Sequence, residues 1–309
     1  MLAAVSVLGA ACAGGPDAAV EDAPDVEAAV RSVVPGPGPP VAALVVDNMS
    51  GQIAHAVVVG PAGAAPVGGS TRPAGSVMKV VVLAAALEAG IGSDKVLGVP
   101  KCLILSQHRA CTRSPGETTV AEAVVISNNP AFVMLTGLVG SDTVAEYGRR
   151  VGMDLEPTAA IPLGPDPVSM ESVAALFVAL ANDGETVAIK DQAGSTVVAA
   201  AGRFVSADVA RGVRTLLRSV VARGTGLAAD GPDEPYGKTG TASNRTDGWF
   251  AGTAGGRTIV VWAGSEDGTI PVAPPHYPIL LSGGGLPAEV FRAVADELGE
   301  RTLAEGASP

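Results

Sequence analysis

The stretches Ser76-Val77-Met78-Lys79, Ser127-Asn128-Asn129 and Lys238-Thr239-Gly240 decide the fold of this chain. Each pattern alone, S-x-x-K, S-x-N or K-T-G, arises by chance in many proteins. All three in this order are far more specific. The intervals between them leave room for a helical domain between the first motif and a closing strand. The three motifs therefore predict one site built from distant parts of the chain.

The sequence around the motifs predicts strands at both ends of the chain and helices between them. Residues 41–46 form an apolar run, turn-forming residues follow, and a second apolar run ends at Val59, which predicts a hairpin. A helix is predicted over 76–89; its segment 80–87 is apolar all round, as is typical of a buried helix. Further helices are predicted at 119–126, 130–138, 143–151, 169–181, 206–222 and 287–300, and strands at 235–242, 249–253 and 258–264. This pattern predicts an α/β (α+β) fold, an antiparallel sheet with a helical subdomain.

Four segments are predicted along the chain. Residues 1–13 are almost wholly apolar and are interpreted as the remnant of an export or lipoprotein signal. Residues 14–40 are rich in Ala, Pro, Gly and Asp, which predicts an extended linker. Residues 41–303 are predicted to form one catalytic unit, with organised structure beginning at its first strand, and residues 304–309 a tail.

The apolar start is too short to span a bilayer, which needs roughly 20 residues. Gly9-Ala10-Ala11-Cys12 resembles a lipobox, so Cys12 is a candidate lipidation site, while residues 11–13 also fit ordinary A-x-A cleavage. An untargeted Ala-rich start is the remaining interpretation. The first two place the protein outside the cytoplasm, either on the outer face of the plasma membrane or secreted.

Composition excludes some classes of function. A net charge of −11 argues against a nucleic-acid partner, which would require a basic face. Three widely separated histidines give little support for a Ser-His-Asp mechanism or a histidine metal site, so neither a metal nor a cofactor is expected. Cys102 and Cys111 either form a disulfide in an oxidising compartment or are two unrelated buried thiols.

The first motif suggests a serine nucleophile with a lysine base. Ser76 and Lys79 are three positions apart on one helical face, within hydrogen-bond reach of each other. A neutral Lys79 could take the hydroxyl proton if burial or a neighbouring cation such as Lys238 lowered its pKa. An exposed lysine after a serine cap is the structural alternative, but a buried helix has no ordinary reason to carry it.

The other two motifs supply candidate proton-transfer and substrate-binding groups. Ser127 is a candidate proton relay, and Asn129 either holds Lys79 and the substrate backbone or simply caps the helix that follows. In the third motif, Lys238 and Thr239 are candidates for binding a carboxylate. Gly240 would let backbones approach closely, and Thr241 would add a hydroxyl. The backbone N–H groups of Ser76 and Thr241 are the expected oxyanion hole.

From 41 to 303 the chain resembles the transpeptidase domain of penicillin-binding proteins, the family in which the three motifs occur together. Other stretches that carry the resemblance are 41–46, 74–75, 163–164 with the helix after 168, 220–226, 237–242 and 247–250. The resemblance implies a β-lactamase/transpeptidase-like fold and a D,D-transpeptidase or D,D-carboxypeptidase acting on D-Ala-D-Ala stem peptides of peptidoglycan. Ser76 would form the acyl-enzyme, β-lactams would be inhibitors, and cell wall assembly proteins would be partners.

Two alternatives remain. A serine β-lactamase has similarly spaced motifs, but its class A members need a glutamate in an E-x-x-L-N setting, and Glu156 is followed by Pro157-Thr158-Ala159. A non-turnover β-lactam-binding or scaffold module is the other alternative, although all three motifs are intact. Family members usually carry a further domain after a membrane anchor. Residues 14–40 stand in its place, so a stand-alone module or a fragment that does not polymerise glycan is expected.

Overall fold

The computed structural model describes residues 24–34, 38–60, 69–242, 245–264 and 282–305. Its helices are α1 Val26–Val33, α2 Lys79–Glu88, α3 Val120–Val125, α4 Asn129–Val139, α5 Ser141–Arg149, α6 Met170–Ala181, α7 Ala207–Arg223 and α8 Leu286–Glu305. Its strands are β1 Val41–Asp47, β2 Ile53–Val59, β3 Arg72–Pro73, β4 Val96–Val99, β5 Cys102–Ile104, β6 Arg109–Cys111, β7 Gly116–Thr119, β8 Pro167–Val168, β9 Ile189–Lys190, β10 Thr196–Val198, β11 Tyr236–Thr241, β12 Asp247–Ala254 and β13 Arg257–Gly264.

The central sheet is antiparallel, with strand order β11-β12-β13-β1-β2. Strands from both ends of the chain meet where β1 pairs with β13, and this confirms the predicted α/β class with a helical subdomain. The strand that carries K-T-G is an edge strand, so its outer edge is open to the cleft. Four short strand pairs, β3–β8, β4–β7, β5–β6 and β9–β10, were not predicted.

Two apolar cores lie on opposite faces of the sheet. The larger one joins the sheet to the helical subdomain. It contains most of α2, in which Val80 to Ala86 are at most 1% exposed. The second core lies between the other face and the pair α1 and α8. Burial of α2 confirms the interpretation of its all-round apolar sequence.

The prediction of an extended linker over residues 14–40 is wrong at residues 26–33, which form a helix. Helix α1 begins after Asp25, whose side chain accepts a hydrogen bond from the Ala28 amide. Val26 and Val30, one turn apart, are buried in the second core. The average composition of the segment concealed this i, i+4 pair, because the proline-rich stretch begins only after the helix. At the other end, α8 continues to Glu305 rather than ending near 300.

Across the described ranges, we find no helix that combines the length and the apolar character needed to cross a membrane. The proposed signal and Cys12 lie outside the described residues, so their prediction is not tested by the structure. The last four residues of the predicted tail, 306–309, also lie outside.

Candidate active site

The first motif lies where three backbone segments meet. Ser76 is in a 3₁₀ turn, Gly75–Met78, and α2 begins only at Lys79, so the predicted helix start is displaced by one turn. Gly75 has a φ of +56°, and a Cβ there would lie 2.3 Å from the carbonyl oxygen of Thr241. A Cβ on Gly164 would lie 2.3 Å from the Gly75 oxygen. Glycine at both positions lets the nucleophile turn sit between β11 and the segment at 164.

Lys79 is buried beside the candidate nucleophile. Its side chain is 1% exposed, and its Nζ lies 2.6 Å from Ser76 Oγ, 2.8 Å from Asn129 Oδ1 and 3.0 Å from the carbonyl oxygen of Pro162. Burial, and to a lesser degree the charge of Lys238, holds the pKa of Lys79 well below its ordinary value.

A charged Lys79 could donate to all three oxygens, but its lowered pKa favours the neutral amine, which the three contacts also accommodate. A neutral lysine has two N–H donors and one lone pair, and the oxygens of Asn129 and Pro162 can only accept. Donation to those two oxygens leaves the lone pair for the third contact, Ser76 Oγ–H. The arrangement can therefore remove the proton from the serine hydroxyl as that hydroxyl attacks a carbonyl.

The second motif forms a strained turn between α3 and α4. Ser127 has a φ of +54°, which is unusual for a residue with a side chain. The cap of α4 is Asn128, whose Oδ1 accepts from the Ala131 amide at 3.2 Å, rather than Asn129 as the structural alternative assumed. Because Asn128 caps the helix, the Asn129 side chain is available to accept from Lys79.

Lys238 in β11 is the second buried amine of the site. It is 1% exposed, and its Nζ contacts Ser127 Oγ at 2.9 Å, the Thr239 carbonyl oxygen at 3.0 Å and Thr239 Oγ1 at 3.3 Å. Burial lowers its pKa to about 7. All three motifs thus converge, as the sequence predicts.

Ser76, Ser127 and Thr239 face a cleft of about 330 Å³ beside the edge strand. A Cβ on Gly240 would lie 2.3 Å from the Ala74 carbonyl oxygen, so glycine allows the strand to approach the nucleophile turn closely. The residues that line the cleft are Ser76, Ser127, Thr225, Thr239, Thr241, Ser282, Gly283 and Gly284.

Sequence reasoning missed Thr225 and the segment 282–284. Thr225 lies within the stretch 220–226, which carried part of the family resemblance but received no role. The run Ser282-Gly283-Gly284-Gly285 is a glycine-rich signal for close backbone approach, and a Cβ on Gly283 would lie 2.0 Å from the Trp249 carbonyl oxygen.

Indole hydrogen bonds anchor the nucleophile turn to the sheet. Trp249 Nε1 donates to the carbonyl oxygen of Pro73 at 3.0 Å, three residues before Ser76. On the neighbouring strand, Trp262 Nε1 donates to the buried carboxylate of Asp247 at 2.9 Å. The stretch 247–250 thus holds the nucleophile turn through Trp249 and the neighbouring strand through Asp247.

The remaining predicted residues lie away from the cleft. Cys102 and Cys111 face each other across the β5–β6 pair and are joined by a disulfide, so the interpretation as two unrelated thiols is wrong. In the described ranges no three His, Cys, Asp or Glu side chains are grouped as a metal site would require.

Comparison with known proteins gives one consistent family. A family profile, the penicillin binding protein transpeptidase domain, matches residues 43–295. Penicillin-binding protein 1F of Bacillus subtilis (strain 168) is 25% identical over an alignment of 215 residues that covers 61% of this chain and 28% of that protein. Penicillin-binding protein 1B of Escherichia coli (strain K12) is 30% identical over an alignment of 169 residues that covers 49% of this chain and 20% of that protein. The chain thus spans about a quarter of the length of these relatives.

Solved structures share the fold. A peptidoglycan glycosyltransferase from Burkholderia ambifaria superposes with a TM-score of 0.73 at 21% identity, covering 92% of this chain and 94% of that one. PonA1 of Mycobacterium tuberculosis, solved in complex with penicillin V, gives a TM-score of 0.74 at 22% identity, covering 88% of this chain and 82% of that one. At these identities the likeness shows the architecture alone.

Proposed function

The chain belongs to the family of penicillin-binding protein transpeptidase domains, and from this premise we propose that it is a serine D,D-transpeptidase or D,D-carboxypeptidase. Its substrates would be peptidoglycan stem peptides that end in D-Ala-D-Ala. The observation that carries the proposal is the 2.6 Å contact between Lys79 Nζ and Ser76 Oγ inside a buried site.

In the proposed acylation, Ser76 Oγ attacks the carbonyl carbon of the penultimate D-alanine and its proton passes to the Lys79 lone pair. The oxyanion forms at the backbone N–H groups of Ser76 and Thr241. The C–N bond then breaks, and Ser127 gives a proton to the leaving D-alanine amine while receiving the one held by Lys79. The acyl group remains on Ser76 as an ester.

The ester is resolved by a second nucleophile. An amine of a neighbouring stem peptide gives cross-linking, and water gives trimming. In either case Lys79 takes the proton of the incoming nucleophile and returns it to Ser76 Oγ as the ester bond breaks. The Lys238 charge and the Thr239 and Thr241 hydroxyls would bind the terminal carboxylate of the donor, and a β-lactam would acylate Ser76 by presenting a carbonyl and a carboxylate in similar positions.

The surroundings of Lys79 support transpeptidase over β-lactamase. Besides Ser76 and Asn129, Lys79 contacts the backbone carbonyl of Pro162, and the described residues that line the cleft include no glutamate to activate a deacylating water. A chromogenic cephalosporin tests this choice. Consumption of one equivalent per protein supports the proposal, whereas many turnovers would favour a β-lactamase.

A scaffold without turnover is separated by a peptide assay. We expect release of D-alanine from a D-Ala-D-Ala peptide or the corresponding thioester by the unmodified protein and none by Ser76→Ala. Binding of β-lactam without any turnover of these donors would instead favour the scaffold module.

The proposed substrate also implies a location. Peptidoglycan is assembled outside the cytoplasm, and the disulfide between Cys102 and Cys111 fits an oxidising compartment. We therefore propose an extracytoplasmic protein, with cell wall assembly proteins as candidate partners. Attachment through Cys12 remains a prediction, tested by mass spectrometry of the mature amino terminus.

A further inference from the structure

Thr225 contributes a hydroxyl to the cleft that no motif assigns. It follows the carboxyl end of α7, and its Oγ1 lies 2.8 Å from Thr239 Oγ1. Both side chains line the cleft together with Thr241. The three threonines thus border one cleft, and the hydroxyl of Thr239 lies 3.3 Å from the buried amine of Lys238.

Proton counting shows what this pair of hydroxyls can do. When Lys238 is charged, its Nζ has N–H donors and no lone pair, so Thr239 Oγ1 accepts a hydrogen bond from it at 3.3 Å. In the Thr225–Thr239 contact one hydroxyl donates and the other accepts, which leaves one O–H of the pair directed elsewhere. When Thr225 is the donor, Thr239 accepts twice and its own hydrogen is available to an anion in the cleft.

Thr241 also accepts a hydrogen bond from a segment outside the third motif. Its Oγ1 accepts from the Gly283 amide at 3.2 Å, so its hydrogen is also available to an anion. When Thr225 is the donor, both threonines of the third motif are supplied with donors by segments outside that motif.

The backbone around Thr225 is fixed by close contacts. Its amide donates to the Val125 carbonyl oxygen at 3.2 Å, two residues before Ser127. A Cβ on Gly284 would lie 2.4 Å from the Thr225 carbonyl oxygen. Thr225 is thus held between the segment that bears Ser127 and the segment at 282–284, and this position limits the directions in which its hydroxyl can point.

We propose that Thr225 is a positioning residue of the carboxylate subsite, acting through Thr239 by fixing the direction of its hydroxyl hydrogen. The inference rests on the proposed function, because it takes the carboxylate of the acyl donor as the ligand. It adds to the K-T-G-T group a third hydroxyl, supplied by the end of α7.

The test compares Thr225→Val, Thr225→Ser and Thr215→Val. Valine keeps the shape and removes the hydroxyl, serine keeps the hydroxyl, and Thr215 is an exposed threonine on α7, the helix that precedes Thr225. The measured quantity is the second-order rate constant of acylation by benzylpenicillin and by its methyl ester, which lacks the carboxylate charge.

For Thr225→Val we expect acylation by the free acid to fall about tenfold, the effect of a hydrogen bond to a charged group. Acylation by the ester should stay within about twofold of wild type, and Thr225→Ser and Thr215→Val should behave as wild type. The double variant Thr225→Val, Thr239→Val should lose no more than Thr239→Val alone, because one residue acts through the other.

Equal losses on acid and ester, or no loss on either, would overturn the role of Thr225. Failure of the wild-type protein to be acylated by either compound would instead contradict the proposed function itself. Reaction with the ester also reports folding, and Thr225→Ala repeats the comparison if Thr225→Val does not fold.

Discussion

Burial, and after it the charge of Lys238, lowers the pKa of Lys79, and both lysines are 1% exposed. Burial disfavours the charged form of either one, and two adjacent cations would repel each other in a medium of low dielectric. Below about pH 7 the pair therefore favours a neutral Lys79 and a protonated Lys238. A neutral Lys79 can act as the base for Ser76, and a charged Lys238 can bind a carboxylate.

Replacing the base should stop acylation. We expect Lys79→Ala to reduce labelling by fluorescent penicillin by about 10²- to 10⁴-fold, the usual contribution of a general base. Labelling is followed by gel fluorescence, with circular dichroism to verify folding. Lys95→Ala, at an exposed position, is the matched control and should label normally. Normal labelling of Lys79→Ala would refute its role.

The pH dependence should differ between donors with and without a carboxylate. The rate rises with pH as Lys79 loses its proton, and this limb lies well below the ordinary lysine pKa. For carboxylate-bearing donors it should fall again above about pH 7, where Lys238 becomes neutral. For esterified donors the falling limb should be missing. Stopped-flow measurement of the acylation rate from about pH 5 to about pH 10 checks this. Identical pH–rate profiles for the free and the esterified donor would contradict it.

Removal of the cation should affect substrate capture more than chemistry. We expect Lys238→Ala to weaken reaction with benzylpenicillin by at least about tenfold, since a charge-assisted hydrogen bond is lost. Reaction with the methyl ester should fall much less. A steady-state comparison of both donors measures the difference, and equal losses would count against carboxylate binding by Lys238.

The close approach of Gly164 to Gly75 in the nucleophile turn should be required for activity. Gly164→Ala places a Cβ 2.3 Å from the Gly75 oxygen, in addition to the strain of a φ of +60°. Gly90→Ala is the matched control, since Gly90 has a φ of +79° and open space around it. Both should lose about 1–2 kcal/mol from left-handed strain. Only Gly164→Ala should also lose acylation. Stability is measured as Tm and acylation as a rate, and equal acylation rates in the two variants would contradict a requirement for glycine at 164.

The disulfide should stabilise the protein without serving catalysis. We expect Cys102→Ser with Cys111→Ser to reduce the free energy of unfolding by about 2–3 kcal/mol, since the bridge closes a short loop. Acylation should be unchanged, because neither residue lines the cleft. Denaturant unfolding and labelling measure the two quantities. Free thiols at both positions in exported protein, detected by non-reducing mass spectrometry, would contradict the disulfide.

Local signals made much of the fold predictable. The apolar segment after Lys79 and the run at 41–46 specify a buried helix and a buried strand by themselves, and the structure has both. Helix α1 was missed because only Val26 and Val30 carry its signal, within a segment whose average composition suggests a linker. What those two valines pack against, the second core, is set by tertiary structure.

Part of the site could also be predicted from local sequence. Spacing within a motif links Ser76 to Lys79, and the order of the motifs predicts that Ser127 and Lys238 lie near them. Two adjacent asparagines are equivalent candidates for the helix cap in the sequence, so only the structure shows that Asn128 is the cap and that Asn129 binds Lys79. Thr225 reaches the cleft through a contact across the fold, which no local pattern encodes.

We expect Ser76 to be esterified by an acyl donor. Incubation with fluorescent penicillin, followed by proteolysis and peptide mapping, identifies the residue that carries the label. We predict one label per chain, on the peptide that contains Ser76, and no label on Ser76→Ala. A label on another residue, or undiminished labelling of Ser76→Ala, would contradict it.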